Sequence, residues 1–442
     1  MLLSPPVSLR RSLLVALVPL VAASVARADD MSFRKGPYLQ GLGARSVVVR
    51  WEGSAPAPGV ITVTGPKGPP HEVKTAEAVS FHSVEVSGLE PATSYTYVVK
   101  AGDTKTEGHF TTAPEEKKPY SFVLYGDNRT DQAAHESVVR AILRTPADFL
   151  VHTGDMVMEG NDDDAWNTFF SIERVLLRDR CVFGAVGNHE LLGRGEPAFL
   201  RYFHPAARGE KTLQYSVRWG NARFFLVNAM APWDVGPDKA WLISELEKSD
   251  AEPGVELRFV VMHHSPFSSG PHGDNNAFLR AGLAEALRAH KVTMVFAGHD
   301  HVYERGEKDG VRYIVSGGGG APLYPLGKKR SSATIAFEST HHYVEVAVDG
   351  PRVTTIARRP DGSILEKCGL EGDKSWDCSG LALLPKPPPP KPPSTSPDAA
   401  TPKKSCDCSV PGGSGASGAP WGFGLAIALG ALSRLRRARR IS

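Results

Sequence analysis

Ten residues, Ala297 to Gly306, hold two histidines, an aspartate, a glutamate, a tyrosine and an arginine in the run AGHDHVYERG. The apolar Met294-Val295-Phe296-Ala297 that leads into it reads as a buried strand. His-x-His on extended chain sets both imidazoles on one side, so His299 and His301 would stand together at the strand's mouth, ready to bind a metal or move a proton. The pattern recurs along the chain. LYGDNR ends a strand with Asp127 and Arg129, VHTGD with Asp155, AVGNHE with Asn188 and His189, and VMHHSP with His263 and His264. Alone, each motif is weak, because Gly-Asp after a strand is ordinarily a turn. As an ordered set they deliver acids, an amide and imidazoles to strand C-termini, the edge where open α/β sheets collect ligands.

The elements that must position these side chains fall into two blocks. Residues 31–113 read as an all-β module, with SVVVRWEG, GVITVTG, FHSVEVSGL and SYTYVVKAG as strands punctuated by Gly and Pro. TTAPEEKKPY (Thr111 to Tyr120) is a linker. Strands then alternate with helical stretches, at Asp131–Leu143, Trp166–Leu177 and Asn276–His290, and hairpins are expected near 213–228 and 341–358. This alternation predicts an α/β domain over 118–365. EGNDDDAW, which tempts a calcium reading, is more simply a helix start, with aspartates as caps and dipole partners.

The ends differ from the body. Residues 1–28 carry Arg10-Arg11, an apolar run and Ala26-Arg27-Ala28, which is the form of a cleaved export signal. Residues 385–415 are a Pro-rich spacer. Residues 416–442 join a short apolar run to RLRRARR, in the manner of a membrane stop or sorting tail. The formal charge of +3 sits in these basic ends and leaves the body acidic. No nucleic-acid partner is therefore expected. Of five cysteines, Cys368 and Cys378 are placed to close a small loop in an oxidising compartment, and Cys181 in CVFGAV reads as an inert buried thiol.

The ordered set GD, GD, GNH, H and GHxH resembles that of the calcineurin-like metallophosphoesterases. GHDHVYER is particularly similar to the purple acid phosphatase branch, and the similarity extends over roughly residues 34–360. It implies a four-layer α-β-β-α sandwich preceded by a fibronectin type III-like sandwich. In that module Trp51 would be the core tryptophan, and the tyrosine corner would fall at Tyr95 or Tyr97. The tail resembles MYXO-CTERM sorting segments. Together these imply an exported or surface-attached phosphoesterase with two divalent or trivalent ions (Fe, Zn or Mn) and a small phosphorylated substrate, hydrolysed by a metal-bound hydroxide. Position by position, Asp155 would bridge the metals, Asp127 and His301 would hold the first, and Asn188, His264 and His299 the second. His264 is preferred because it heads His264-Ser265-Pro266, which leaves His263 as a packing neighbour on the other strand face. His189 would meet the phosphoryl oxygen. His272 is either the acid that protonates the leaving group or an exposed loop residue. Arg129 either clamps a phosphate oxygen or pairs with Asp131 or another nearby acid. Tyr303, Glu304 and Arg305 would support the site.

The chain departs from the family pattern twice. Met158 stands where the branch has the tyrosine that gives its colour, and Arg129 stands where the wider family has an additional histidine ligand. The first metal thus lacks a fourth protein ligand: water completes the shell, His135 or His152 substitutes, or the first site is weak. A diesterase or nucleotide hydrolase, or a surface binding protein on a decayed phosphoesterase scaffold, is the alternative use of the same residues.

Overall fold

A computed structural model describes residues 32–381, apart from 207–211, 231, 234–235 and 373. The expected leader (1–28), the spacer (385–415) with Cys406 and Cys408, and the sorting segment (416–442) lie outside the described residues.

The first block is all-β. Strands Phe33–Gln40, Ser46–Ala57 and Val79–Ser87 form one antiparallel sheet, and His71–Lys74, Gly59–Thr64, Ser94–Ala101 and Thr104–Thr111 form another. Alternation buries Ile61, Val63, Tyr97 and Val99 around Trp51, which is fully buried and stacked on His82. The two candidate corner tyrosines differ in what they bind. The Tyr95 hydroxyl accepts the Glu90 N–H at 2.8 Å, whereas the Tyr97 hydroxyl donates to the Arg178 carbonyl.

The second block is built on two seven-stranded sheets. In the first, Val182–Gly184, Phe149–His152 and Tyr120–Tyr125 run parallel, and Tyr343–Asp349, Arg352–Arg358, Ile364–Glu371 and Asp377–Gly380 continue antiparallel. In the second, Ala222–Val227, Leu257–His264, Met294–Gly298 and Val311–Ser316 are parallel, with Tyr215–Trp219, Tyr303–Lys308 and Thr334–Glu338 antiparallel at the flanks. The period of two along each strand decides what faces what. Phe122, Leu124 and Phe149 of one sheet meet Phe224, Phe259 and Phe296 of the other, edge to face around Phe122. Each such side chain contributes about 1.5–3 kcal/mol of burial. The alternate residues Val123, Tyr125 and Leu150 pack with helices Gln132–Leu143 and Asp163–Asp179. Phe225, Val260, Met262 and Val295 cluster with Leu242 and Leu246 of helix Pro237–Ala251. Both parallel strand sets thus stop at the same edge.

Several boundaries differ from the sequence expectation. The run 181–190 is not one strand: pairing ends at Gly184, and Asn188–Leu191 turns into a short helix. The helical stretch Asn276–His290 breaks at Gly282 (φ +72°) into Asn276–Arg280 and Leu283–Ala289. The 118–365 boundary falls inside a strand, because Ile364–Glu371 and Asp377–Gly380 extend the first sheet, with Cys368 and Cys378 joined as a disulfide across them. Asp131 and Asp162 cap their helices as the sequence suggests, accepting from Ala134 N–H and from Asp164 and Ala165 N–H. Cys181 is a free buried thiol, and burial pushes it up to about 12.

The two sheets are also tied by a polar clasp. Arg305 reaches Glu366 through two bonds of 2.8 Å, and the Tyr303 hydroxyl donates to the same carboxylate at 2.6 Å. All three side chains are essentially inaccessible. Breaking a buried pair leaves an uncompensated charge, which costs far more than the pair contributes against an apolar substitute. Glu366→Ala is therefore expected to destabilise the fold by about 3–5 kcal/mol, measured by denaturant unfolding. A loss below about 1 kcal/mol would match an exposed pair instead.

Candidate metal centre

The strand ends turn sharply where the chemistry begins. Asp127, Asp155 and His299 all have left-handed backbone (φ +58°, +59° and +71°), each directly after a glycine. Such conformations are costly for non-glycine residues and persist only where the surroundings enforce them. Gly298, before His299, and Gly187, before Asn188, leave room for the carboxylates. A Cβ at Gly298 would lie 2.3 Å from Asp127 Oδ2, and one at Gly187 would lie 2.2 Å from Asp155 Oδ1.

Asp155 is at the centre. Its Oδ1 accepts the His189 N–H at 3.1 Å and lies 3.3 Å from His263 Nε2, and its Oδ2 accepts Arg129 Nε at 3.0 Å. Asp127 accepts the His299 N–H at both oxygens and lies 3.6 Å from His301 Nε2. Asp127, Asp155 and His301 each bring one ligand atom to within 4.8 Å of the others. On the other side, His263 Nε2 lies 3.1 Å from Asn188 Oδ1 and 3.2 Å from His299 Nδ1. These separations are close to the edge of a small tetrahedral site, about 3.4 Å for bonds of 2.0–2.1 Å. A mixed carboxylate, amide and imidazole set is also the right chemistry for Zn, Fe or Mn.

His263, expected to pack on the other strand face, instead enters this cluster. His263 is fully buried with Nδ1 on the Thr153 carbonyl at 2.9 Å, which aims Nε2 into the cluster. His264, one residue on, lies roughly parallel to it (5.8 Å between centroids, 22° between planes) and packs its ring on that of His299 at 3.6 Å. It lines a cleft of about 210 Å³ with Ser268, His272, His299 and Asp300, and its buried Nε2 has no hydrogen-bond partner. The proposed substitute ligands are also placed elsewhere. His135 binds Glu173 at 2.8 Å, and His152 binds Asn128 and accepts the Gly154 N–H. Both lie in a buried network beneath the Asp127 loop, where Glu173 also accepts from Tyr125 and Asn128.

The expected catalytic residues divide. His189 spends Nδ1 on the Met158 carbonyl at 2.6 Å and turns Nε2 toward Asp155 at 3.9 Å. His272 is half exposed and is held by Asp300 through Nδ1 at 2.8 Å, with its ring 4.0 Å from that of His299. Arg129 pairs with Asp155, not with Asp131, which caps a helix instead. It also donates to His301 Nε2 at 3.3 Å and touches the Met158 sulfur at 3.5 Å.

Burial and mutual charge set the protonation states. Burial pushes Asp127 well up. Burial also opposes charge on Asp155, yet His263, His189 and Arg129 hold it well below the usual carboxylate range. His263 is buried as well, but the Asp155 and Asp127 carboxylates raise it to about 9. Burial lowers His264 and His301 to about 4 and His299 further still, which leaves neutral imidazoles.

Four contributors were not legible in the motifs. Glu190 is fully buried and collects the N–H groups of Asp155, Met156 and Gly187 at 2.8 Å each, so it staples two ligand loops together. Its position directly after GNH was the available signal. Asp300 lies between the two histidines of GHDH and orients His272. Glu366 anchors Tyr303 and Arg305. Tyr324 stacks on His301 (4.0 Å between centroids, 16° between planes) from a Gly- and Pro-rich loop that carries no such signal.

Residues 120–303 match the family model for calcineurin-like phosphoesterases. Among curated proteins, the chain is 27% identical over 266 residues to a phosphoenolpyruvate phosphatase of Allium cepa, covering 55% of this chain and 54% of that one. It is 26% identical over 248 residues to the Fe(3+)-Zn(2+) purple acid phosphatase 12 of Arabidopsis thaliana, covering 51% and 52%. The chain spans about half the length of these relatives. A solved purple acid phosphatase from yellow lupin seeds superposes with a TM-score of 0.64 at 17% identity, covering 76% of this chain and 74% of that one. The fold is therefore the mixed α/β metallophosphoesterase fold, with purple acid phosphatase-like proteins among its relatives and structural neighbours.

Glu304 supports the His272 loop by accepting the Ser269 N–H and the hydroxyls of Tyr313 and Thr334. Burial outweighs these bonds and pushes its carboxyl up to about 7. Its folded-state pKa thus lies above the unfolded value of about 4.3. The stability it contributes is fully present below about pH 4 and is lost as the pH rises to about 7. In chelator-treated protein, Glu304→Gln is expected to lose less stability than the parent between about pH 5 and pH 8, by on the order of 2 kcal/mol. Thermal denaturation at the two pH values reads the difference, and equal losses would show that Glu304 is already ionised at the lower pH.

Proposed function

We propose that the protein is an exported, metal-dependent phosphatase that hydrolyses small phosphate monoesters. The observation that carries this reading is the convergence of Asp127, Asp155, Asn188, His263, His299 and His301 from separate strand ends around one carboxylate, with His189 and His272 at its rim. The four-layer sandwich, the fibronectin type III-like character of the front module, export by the first 28 residues and surface attachment by the tail belong to this same reading.

Asp127, Asp155 and His301 would hold one ion, and Asp155, Asn188, His263 and His299 the other. The Fe(3+)-Zn(2+) name of one relative and the donor chemistry here both favour iron, zinc or manganese. When bound, such a pair neutralises phosphoryl oxygens and acidifies water enough to supply a nucleophile at neutral pH. The protein's own groups do the rest. His189, with Nδ1 committed to a carbonyl, presents Nε2 to a phosphoryl oxygen and stabilises charge developing there. His272, with Nδ1 held by Asp300, presents Nε2 to the leaving oxygen and can hand it a proton. Glu190 and the left-handed turns keep the carboxylates in place before substrate arrives, so no reorganisation is needed at the moment of reaction.

The test combines metal analysis of the purified protein with a panel of phosphate mono- and diesters. About two ions per chain and turnover of monoesters are expected, and Asp155→Asn is expected to lower turnover by about a thousandfold or more while the fold melts normally. Turnover that survives Asp155→Asn would end the proposal, and preference for diesters would move it to a phosphodiesterase. With Met158 at the tyrosine position, the iron-loaded protein is expected to lack an intense visible tyrosinate band. A purple preparation would contradict this.

A further inference from the structure

We propose that Arg129 is a resident cation of the first metal position, so that the two half-sites fill in order. The Asp155, Asn188, His263 and His299 site loads first and tightly; the Asp127, Asp155 and His301 site loads second and weakly, once the guanidinium has left. This rests on the metal-dependent reading above and concerns how that centre is assembled.

The case begins with lone pairs. His301 gives its Nδ1 proton to the Pro322 carbonyl at 2.6 Å, so Nε2 carries a single in-plane lone pair. Arg129 Nη2 already donates into that lone pair at 3.3 Å. A metal ion and an N–H cannot both use it. Asp155 is divided in the same way: Oδ1 is turned to His263 and the His189 N–H, and Oδ2 is taken by Arg129 Nε at 3.0 Å. Two of the three first-site ligands are thus bonded to a group that is always charged and presents its donors in a rigid fork. Only 12% of the Arg129 side chain is exposed, and the Met158 sulfur and Tyr324 close around it. Among the described residues, no arginine or lysine is hydrogen-bonded into the second half-site: the groups around His263 Nε2 are an amide, a carboxylate and an imidazole, so a metal entering there displaces a proton and not a tethered guanidinium.

The backbone limits how Arg129 can leave. The N–H groups of Asn128 and Arg129 both donate to the Asp155 carbonyl, at 3.1 and 3.4 Å, and the Asn128 side chain is pinned by His152 and Glu173. The loop therefore stays, and only the side chain can swing. An anionic phosphoryl group in the cleft is the natural acceptor for the released fork, because guanidinium binds phosphate oxygens in pairs. One residue would then exclude the first-site ion at rest and hold the phosphoryl group when the centre is filled.

Chelator-stripped full-length protein should be titrated with Co(II), followed by calorimetry and by the visible Co(II) spectrum, with metal analysis after gel filtration. The parent is expected to bind one ion tightly and a second at least tenfold more weakly. Arg129→Ala is expected to tighten the weaker step at least tenfold, and Arg129→His, which restores an imidazole two residues after Asp127, is expected to bring the two steps close together. Inorganic phosphate should tighten the weaker step in the parent and have less effect in Arg129→Ala. Two equal steps in the parent, or a weaker step unchanged by Arg129→Ala in protein that melts normally, overturns the proposal. His263→Ala separates the two readings. If it abolishes the tight step while Arg129→Ala changes nothing, the metal centre stands and the role of Arg129 falls. If the parent binds no ion at all, both fall.

Discussion

The site depends on one carboxylate kept ionised where water barely reaches. Asp155 is 1% exposed, and a buried carboxylate is expensive unless surrounding charge and N–H groups compensate it. Here the compensation comes from four directions: a guanidinium, two imidazoles and a backbone amide. These groups belong to three segments, since His189 supplies both an imidazole and the amide, so ionising Asp155 and bringing those segments together are the same event. Glu190 repeats the device one layer below, with backbone N–H groups in place of charges.

Much of this was legible in the sequence because ligand positions follow strand ends, and strand ends are marked by an apolar run closing on glycine. The adjacent pair His263 and His264 shows the limit. Adjacent residues on a regular strand alternate faces, yet here both rings meet His299, at 4.9 and 3.6 Å between centroids, and composition cannot announce such a break in alternation. That depends on the register of Leu257–His264 against its neighbours, including the shift between Val261 and His264. The buried network under Asp127 was missed for a related reason. His135, Glu173, Asn128 and His152 come from separate elements, and no local spacing announces that they meet. Element types were more legible than boundaries. The disulfide-closed strands at 364–380 carry too little apolar alternation to be recognised as the edge of a sheet begun at residue 120.

The two departures from the family pattern take on a joint meaning in three dimensions. Met158 and Arg129 are in contact, and both stand at positions where the sequence resemblance led to the expectation of a ligand. A weakly coordinating thioether beside a permanent cation lowers the demand for an ion on that side, while the opposite side keeps its full donor set. The departures from the pattern therefore lie in a neighbouring pair of side chains, not in a general loss of candidate ligands.

Helix Asp163–Asp179 has a role at each of two points. At its first turn Asp163 receives the inaccessible ammonium of Lys35 at 2.7 Å, and Arg34 at 2.8 Å, both from the opening strand of the front module. Ten residues on, Glu173 grips the underside of the loop that carries Asp127 and Arg129. The helix is thus a strut with a handle at the module and a clamp at the Asp127 loop. Three turns of backbone hydrogen bonds therefore join the opening strand of the front module to the loop that carries Asp127 and Arg129.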